Sequence, residues 1–344
     1  MNRNMLRFSL LTCLFVSAIF SSCSTKSDGI DSQADENRFF VNYIQNTYGT
    51  KHDSLIAIGD YIYMINRQVG AGLTPTLTAD SSDFVEVCYT GRVLTATSTD
   101  VFTTTNRRLA SIYKCDSVSV IQDTVFLNMA APQGVKTPWV NGLRKALINM
   151  KEGGKALVLM GPSWGYGGSS SYTQSYASLS YEVQLIRVIK DPIKYDAARI
   201  AKCLKALGKT ANDSVKGANN IYLFNETAGI NDTLATAGDT VYLKYTGRLL
   251  PNKETISTRA DVLSGTRFDH ADSAAFVVGG STVAGFNSAI QKIKPKSAGF
   301  FIIPYDKAYG IEGNTNKNKV AVIPQYNAII FEYKVIRIAK IKKS

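Results

Sequence analysis

The chain nearly repeats itself, and that repeat limits its folds more than any other feature. DFVEVCYTGRVL (83–94) returns as DTVYLKYTGRLL (239–250), and YEVQLIRVIK (181–190) returns as FEYKVIRIAK (331–340). Between them, WVNGLRKALINMKEGGKALVLMGPSWGYG (139–167) answers to TVAGFNSAIQKIKPKSAGFFIIPYDKAYG (282–310). The entries IYMINRQVGAG and IYLFNETAGIN match as well. A period of about 150 residues present twice is too long and too few for a solenoid, so it means two domains of one fold. The joint is expected in KDPIKYDAAR, where Pro192 ends a strand pattern. The expected domains are residues 38–191 and 192–344.

Each copy carries the same coarse pattern. TVYLKYTGRLL and AIIFEYKVIRI are rich in β-branched and aromatic residues and read as strands. Leu143, Ala146, Leu147 and Met150 recur at helical spacing, as do Phe286, Ala289, Ile290 and Ile293. KEGGK and KPKSAG stop these helices. One short helix among several strands must lay its apolar stripe on a sheet. The expectation is an α+β fold: two tandem domains, each a curved antiparallel sheet wrapped over one short helix. ENRFFVNYIQNTYG and KYDAARIAKCLKALG read as additional helices preceding the two cores.

The N-terminus sets the expected compartment. Arg3 and Arg7 flank or open LRFSLLTCLFVSAIF, an apolar run too short to span a bilayer, followed by Ser21, Ser22 and Cys23. Residues 1–22 read as a signal peptide. AIFSSC resembles a bacterial lipobox with Cys23 as the lipidated residue, although Phe20 departs from the usual leucine; an ordinary signal peptide is the alternative. Residues 23–37 read as a polar tether. The expected location is a bacterial envelope membrane, outer membrane facing the periplasm. The formal charge is +12, or about +10 without Arg3 and Arg7. In an exported chain that surplus does not imply nucleic acid. Two histidines and no CxxC pair leave no pattern for a metal, and no cofactor is expected. Cys88 and Cys115 form a bridge or remain thiols; both readings are open.

The motifs, taken in order, resemble the FKBP-type peptidyl-prolyl isomerases. The second copy has Tyr245-Thr246-Gly247, Phe268-Asp269, TVAGF ending at Phe286, Ala308-Tyr309-Gly310, Ile323-Pro324 and Phe331. The resemblance covers 210–340 in full and 60–190 in outline. By position it implies Phe286 as the floor under a proline ring, with Tyr245, Phe268, Val283 and Phe331 as walls. The Val283 N–H and the Tyr309 hydroxyl would bind substrate carbonyls, Asp269 would hold Tyr245 or polarise the site, and Ile323 would close one side. The implied partners are proline-containing segments of unfolded or folding proteins. The corresponding first-copy residues are Tyr89, Phe102, Val140, Leu143, Tyr166 and Tyr181. That copy has drifted: Phe102-Thr103 lacks the carboxylate, Leu143 replaces the aromatic floor, Tyr181 replaces the closing Phe, and SSSYTQSYAS stands where the proline loop belongs. In the second copy, Gln325 replaces a second proline and PNKETISTRADVLSG looks inserted.

The implied reaction needs no nucleophile. Rotating an X-Pro amide means crossing a barrier of about 18–20 kcal/mol, which takes tens to hundreds of seconds unaided. A dry aromatic pocket favours the twisted amide, which has lost its charge separation. Two other functions fit the sequence: a non-catalytic peptide-binding or chaperone module, and a lipoprotein keeping only the scaffold. An insertion that plugs the second pocket would favour either one over catalysis.

Overall fold

The computed structural model describes residues 29–49, 54–75, 83–95, 99–117, 124–129, 140–168, 172–215, 221–230, 234–253, 255–315 and 321–341. Residues 1–22, read above as a signal peptide, and Cys23 lie outside the described residues. Among the described residues no helix is long and apolar enough to cross a membrane.

The first domain contains α1 (Gly29–Tyr48), β1 (Leu55–Gly59), β2 (Ile62–Gln68), β3 (Phe84–Leu94), β4 (Thr99–Thr104), α2 (Arg107–Tyr113), β5 (Asp116–Ser117), β6 (Val125–Asn128), α3 (Asn141–Leu147), β7 (Lys155–Met160) and β8 (Leu179–Ile189). The linking helix α4 (Pro192–Ala206) leads to β9 (Tyr222–Thr227), β10 (Thr240–Leu249), α5 (Arg259–Val262), β11 (Arg267–Val277), α6 (Ala284–Ile290), β12 (Ala298–Ile303), β13 (Asn314–Thr315), β14 (Ala321–Ile323) and β15 (Ile329–Ala339).

The sequence repeat is a repeat of topology. The second sheet has the order β11-β10-β15-β12-β9, and the first contains β4-β3-β8-β7-β2 in the corresponding places. Register agrees too: Gly91 faces Tyr181 across β3–β8, and Gly247 faces Phe331 across β10–β15. The edge differs. β11 runs unbroken along β10, whereas its counterpart is split into β4 and β6 on opposite ends of β3, with α2 and β5 in the break.

Each sheet is covered on both faces. Leu143, Ala146 and Leu147 of α3 pack on the inner face of the first sheet, and Phe286, Ala289 and Ile290 of α6 on that of the second. On the outer faces lie the two helices that precede the cores. Phe40 and Ile44 of α1 pack on Leu94 and Leu159; Ile200, Cys203 and Leu204 of α4 pack on Phe224, Phe300 and Ile302. Double coverage explains why β8 is buried almost continuously rather than in alternation. Asp191 caps α4 by accepting from the Ile193 and Lys194 N–H groups, and Pro192 occupies the first turn, where no N–H is needed.

Two expectations need correction or closure. The tether is shorter than 23–37, because α1 begins at Gly29. Phe40 and Ile44 pack this helix onto the sheet, the tertiary burial that stabilises most helices in proteins. No disulfide joins Cys88, Cys115 or Cys203.

The domains meet through rings. Phe84, Phe126 and Ile189 of the first pack with Tyr326, Tyr195 and Tyr305, and the Phe84 and Tyr326 centroids are 4.1 Å apart. Asn252, in the inserted segment of the second copy, donates to Glu86 (2.8 Å) and accepts from the Tyr195 hydroxyl (2.5 Å). Burial of Glu86 in this joint raises its pKa.

Candidate functional site

In the second domain the strands and α6 bring the predicted residues to one concave face. Phe286 lies beside Phe331 (5.1 Å), Phe301 (5.6 Å) and Tyr245 (6.4 Å), and Phe268 stands edge-on to Phe331 at 5.7 Å and 88°. Edge-to-face contacts of this kind fix ring orientation as well as burying area. The Tyr245 hydroxyl donates to Asp269 Oδ2 at 2.7 Å. Burial first, then that bond and the Asp269 charge, raises the Tyr245 pKa, so the phenol keeps its proton at neutral pH. Gly247 explains the Tyr-Thr-Gly triplet: a Cβ there would lie 2.7 Å from Phe331 and 2.9 Å from Phe268. The glycine is the space into which the two rings close.

Val283 is the N-cap of α6, and no described residue accepts from its N–H. Tyr309 rides on a compact turn. Residues Tyr305–Lys307 form one 3-10 turn, Ala308 takes φ −98° and ψ −113°, and Gly310 takes φ +63°. The Gly310 N–H returns to the Tyr305 carbonyl at 2.8 Å. Only glycine adopts that φ without strain, so the Tyr-Gly pair fixes where the tyrosine points. Tyr309 and Val283 are half-buried, whereas Phe286, Phe331 and Ile323 are buried. Burial and the Asp269 charge together raise the Tyr309 pKa. The inserted segment does not enter this pocket: Ile256, Val262 and Leu263 pack outward with α4 and Phe300.

The first domain repeats the frame and fills it. Its turn is the same, with Pro162–Trp164 as the 3-10 turn and Gly167 at φ +62°. Thr103 faces Gly91 just as Asp269 faces Gly247, and it hydrogen-bonds the Tyr89 hydroxyl. Phe102 meets Tyr166 (6.0 Å) and Tyr181 (5.9 Å) edge-on, and Tyr172 stacks on Tyr166 (5.8 Å, 22°). The Tyr166 and Tyr181 hydroxyls bond to each other. Val140, Leu143 and Tyr181 are at most 1% exposed and Tyr166 is 8% exposed.

Two contributors were not read from the sequence. Phe276 packs at 4.7 Å from Phe286 and 5.5 Å from Tyr245. It has the same parity as Phe268, but register shifts on β11 put Ala271 rather than His270 and Asp272 on the inner side between them. Tyr172 lies in SSSYTQSYAS, a stretch whose composition gives a loop and no direction. Among the described residues, no three His, Cys, Asp or Glu side chains gather as metal ligands. The second site offers apolar ring faces, one tyrosine–carboxylate bond and rim donors, which suits holding a flat apolar group more than making or breaking a bond to one.

A family model for the FKBP-type peptidyl-prolyl cis-trans isomerases matches residues 76–186 and again 231–336. No curated protein sequence matches the chain significantly. Among solved structures, the three FKBP domains of wheat FKBP73 are similar at 18% identity and a TM-score of 0.30, over 84% of this chain and 100% of that one. FkpA from Escherichia coli is similar at 17% identity and 0.34, over 47% of this chain and 63% of its own, less than two thirds of it. A peptidyl-prolyl cis-trans isomerase from Pseudomonas syringae pv. tomato is similar at 21% and 0.32, over 46% and 94%.

Proposed function

The chain belongs to the FKBP-type peptidyl-prolyl cis-trans isomerase family, and from that premise we propose that its second domain isomerises X-Pro bonds in exported proteins while its first does not. The observation that carries this reading is the contrast between the pockets. The second has the Tyr245–Asp269 bond, with Asp269 exposed and Phe268 and Tyr309 half-buried, and the first has Tyr172 stacked on Tyr166 and Tyr181 bonded to it.

In this mechanism a proline ring sits on Phe286 between Tyr245, Phe268, Phe276 and Phe331. The Val283 N–H holds one carbonyl and the Tyr309 hydroxyl another, and Ile323 closes the side. Asp269 keeps the Tyr245 hydroxyl turned away from the substrate amide. The twisted amide has less charge separation than the planar one, so the water-poor ring of side chains binds it better. No covalent step occurs. Cys23 would anchor the chain by lipid to a membrane facing the periplasm, where proline-limited folding of exported chains is slow. The filled first pocket favours a non-catalytic role for that half, as a module that docks rather than turns over peptide.

A protease-coupled isomerisation assay on a short Xaa-Pro peptide tests the proposal, using the chain from residue 24 onward. Acceleration over background is expected, and Phe268→Ala/Asp269→Ala should abolish it. A folded wild-type protein with no acceleration would remove the isomerase reading and leave a peptide-binding one.

A further inference from the structure

The family match stops short of α4, yet this helix reaches the rim of the second pocket through a buried carboxylate. Asp196 is 2% exposed. Its Oδ2 accepts from the Tyr305 N–H at 3.0 Å, and the Ala328 N–H bonds the same carboxylate. Tyr305 opens the turn that ends in Tyr309; Ala328 closes the loop that follows Ile323 and Pro324. The two rim segments are also tied to each other, the Tyr326 N–H donating to the Gly310 carbonyl at 3.1 Å. Arg199, one helical turn on, lies 3.7 Å from Asp196 Oδ1 and donates to the Leu250 carbonyl at 2.6 Å.

The first domain supplies the control. α1 covers its sheet where α4 covers the second, and Asn37 holds the place of Asp196, its Oδ1 lying 3.3 Å from where a Cβ on Gly161 would be. The residue after Gly161 is Pro162, which has no N–H to give. Asn37 Oδ1 has no hydrogen-bond partner among the described residues. A helix therefore docks on this sheet without the bond. Burying a carboxylate is costly, and an apolar residue would serve docking alone at least as well. The bond occurs in the half that keeps the Tyr245–Asp269 pair.

We propose that Asp196 is a positioning residue for the second pocket, holding the Tyr309 turn and the Ile323 loop in their working places from outside the family core. This rests on reading that pocket as the isomerase site.

The test uses the full chain from residue 24 with Asp196→Ala, Asp196→Asn and Asn37→Ala, read by residue-resolved hydrogen exchange and by kcat/KM on the Xaa-Pro peptide. Asp196→Ala should speed exchange at Tyr305–Gly310 and Ile323–Ala328 about tenfold or more, with β10, β15 and the first domain unchanged. It should lower kcat/KM by about tenfold. Asp196→Asn, which keeps one acceptor oxygen, should fall between wild type and alanine, and it decides the matter if the alanine variant does not fold. Asn37→Ala should stay within about twofold of wild type on both readouts. Unchanged exchange in the rim segments overturns the proposal, and so does a uniform rise across the second domain. If the wild type proves inactive, exchange still decides the positioning, while the Phe268/Asp269 variant separately decides the reaction.

Discussion

The two pockets share strand order, turn geometry, a glycine under two aromatic rings and a tyrosine on a left-handed turn, yet one is lined by phenylalanines and a carboxylate and the other by interlocked tyrosines. Few side chains make the difference. Leu143 stands for Phe286, Thr103 for Asp269 and Tyr181 for Phe331, and Tyr172 lies across Tyr166. The common residues set the backbone, and the changed ones set the chemistry of the lining. A shared fold therefore says little about shared activity within this one chain. The Tyr181 hydroxyl donates to that of Tyr166 and Tyr172 stacks on the Tyr166 ring, so the tyrosine that would orient a peptide is already engaged by two neighbours.

The sharpest way to break the comparison is to give the second pocket the first one's floor. Phe286→Leu conserves much of the volume and should cost under about 1.5 kcal/mol in stability. It removes the flat surface under the proline, and kcat/KM should fall on the order of tenfold to a hundredfold. Urea unfolding and the coupled assay separate the two effects, and full activity in a stable Leu variant would mean the floor is not the determinant. Next in size is the paired change Gly91→Ala and Gly247→Ala. At Gly91 a Cβ meets Thr103 at 2.7 Å and Tyr181 at 2.9 Å; at Gly247 it meets Phe331 and Phe268 as closely. Each should destabilise by about 1–3 kcal/mol through overpacking, but only Gly247→Ala should lower isomerisation. Equal activity losses in both variants would mean the first pocket contributes to turnover.

Much of this was legible in the sequence because it depends on residues whose type is forced by geometry. The repeat gave the domain pairing, Tyr-Thr-Gly marked the glycine under the rings, and the Tyr-Gly pairs marked the turns. Phe276 shares the parity of Phe268, but the bulges turn Ala271 inward in place of His270 and Asp272, so the alternation linking the two rings is broken between them. The closure of the first pocket by Tyr172 depends on a loop path that no periodicity encodes. The role of Asp196 was invisible for another reason. It sits on a helix that read as an addition to the core, and its partners are backbone N–H groups 109 and more residues away. The inserted segment was legible as an insertion but not in direction; capping of α5 by Thr258 and the apolar Ile256 and Val262 turn it to the outer face.

The smallest expected effect concerns the helices that precede the two cores. Burial raises the Asp196 pKa to about 6, and Arg199 together with the Tyr305 and Ala328 N–H groups opposes that rise. Asp306 on the same turn adds to it, and Arg199 is the cation facing it. An unfolded chain would hold this carboxyl near about 3.9. The folded state therefore binds the proton more tightly, so the contribution of Asp196 to stability is fully present below about pH 4 and is lost as pH rises through about 6. Asn37, its counterpart in the first domain, does not titrate, so no matching term arises there. Glu86 in the domain joint shifts in the same direction through burial, which is why wild type alone is not diagnostic. The informative quantity is the difference between wild type and Asp196→Asn, in which the Glu86 term cancels. Between pH 7 and pH 5 wild type should gain about 1 kcal/mol relative to the variant in urea unfolding. A difference that stays flat across that range would mean Asp196 titrates near its ordinary value, with its carboxylate better solvated or better paired than its 2% exposure implies.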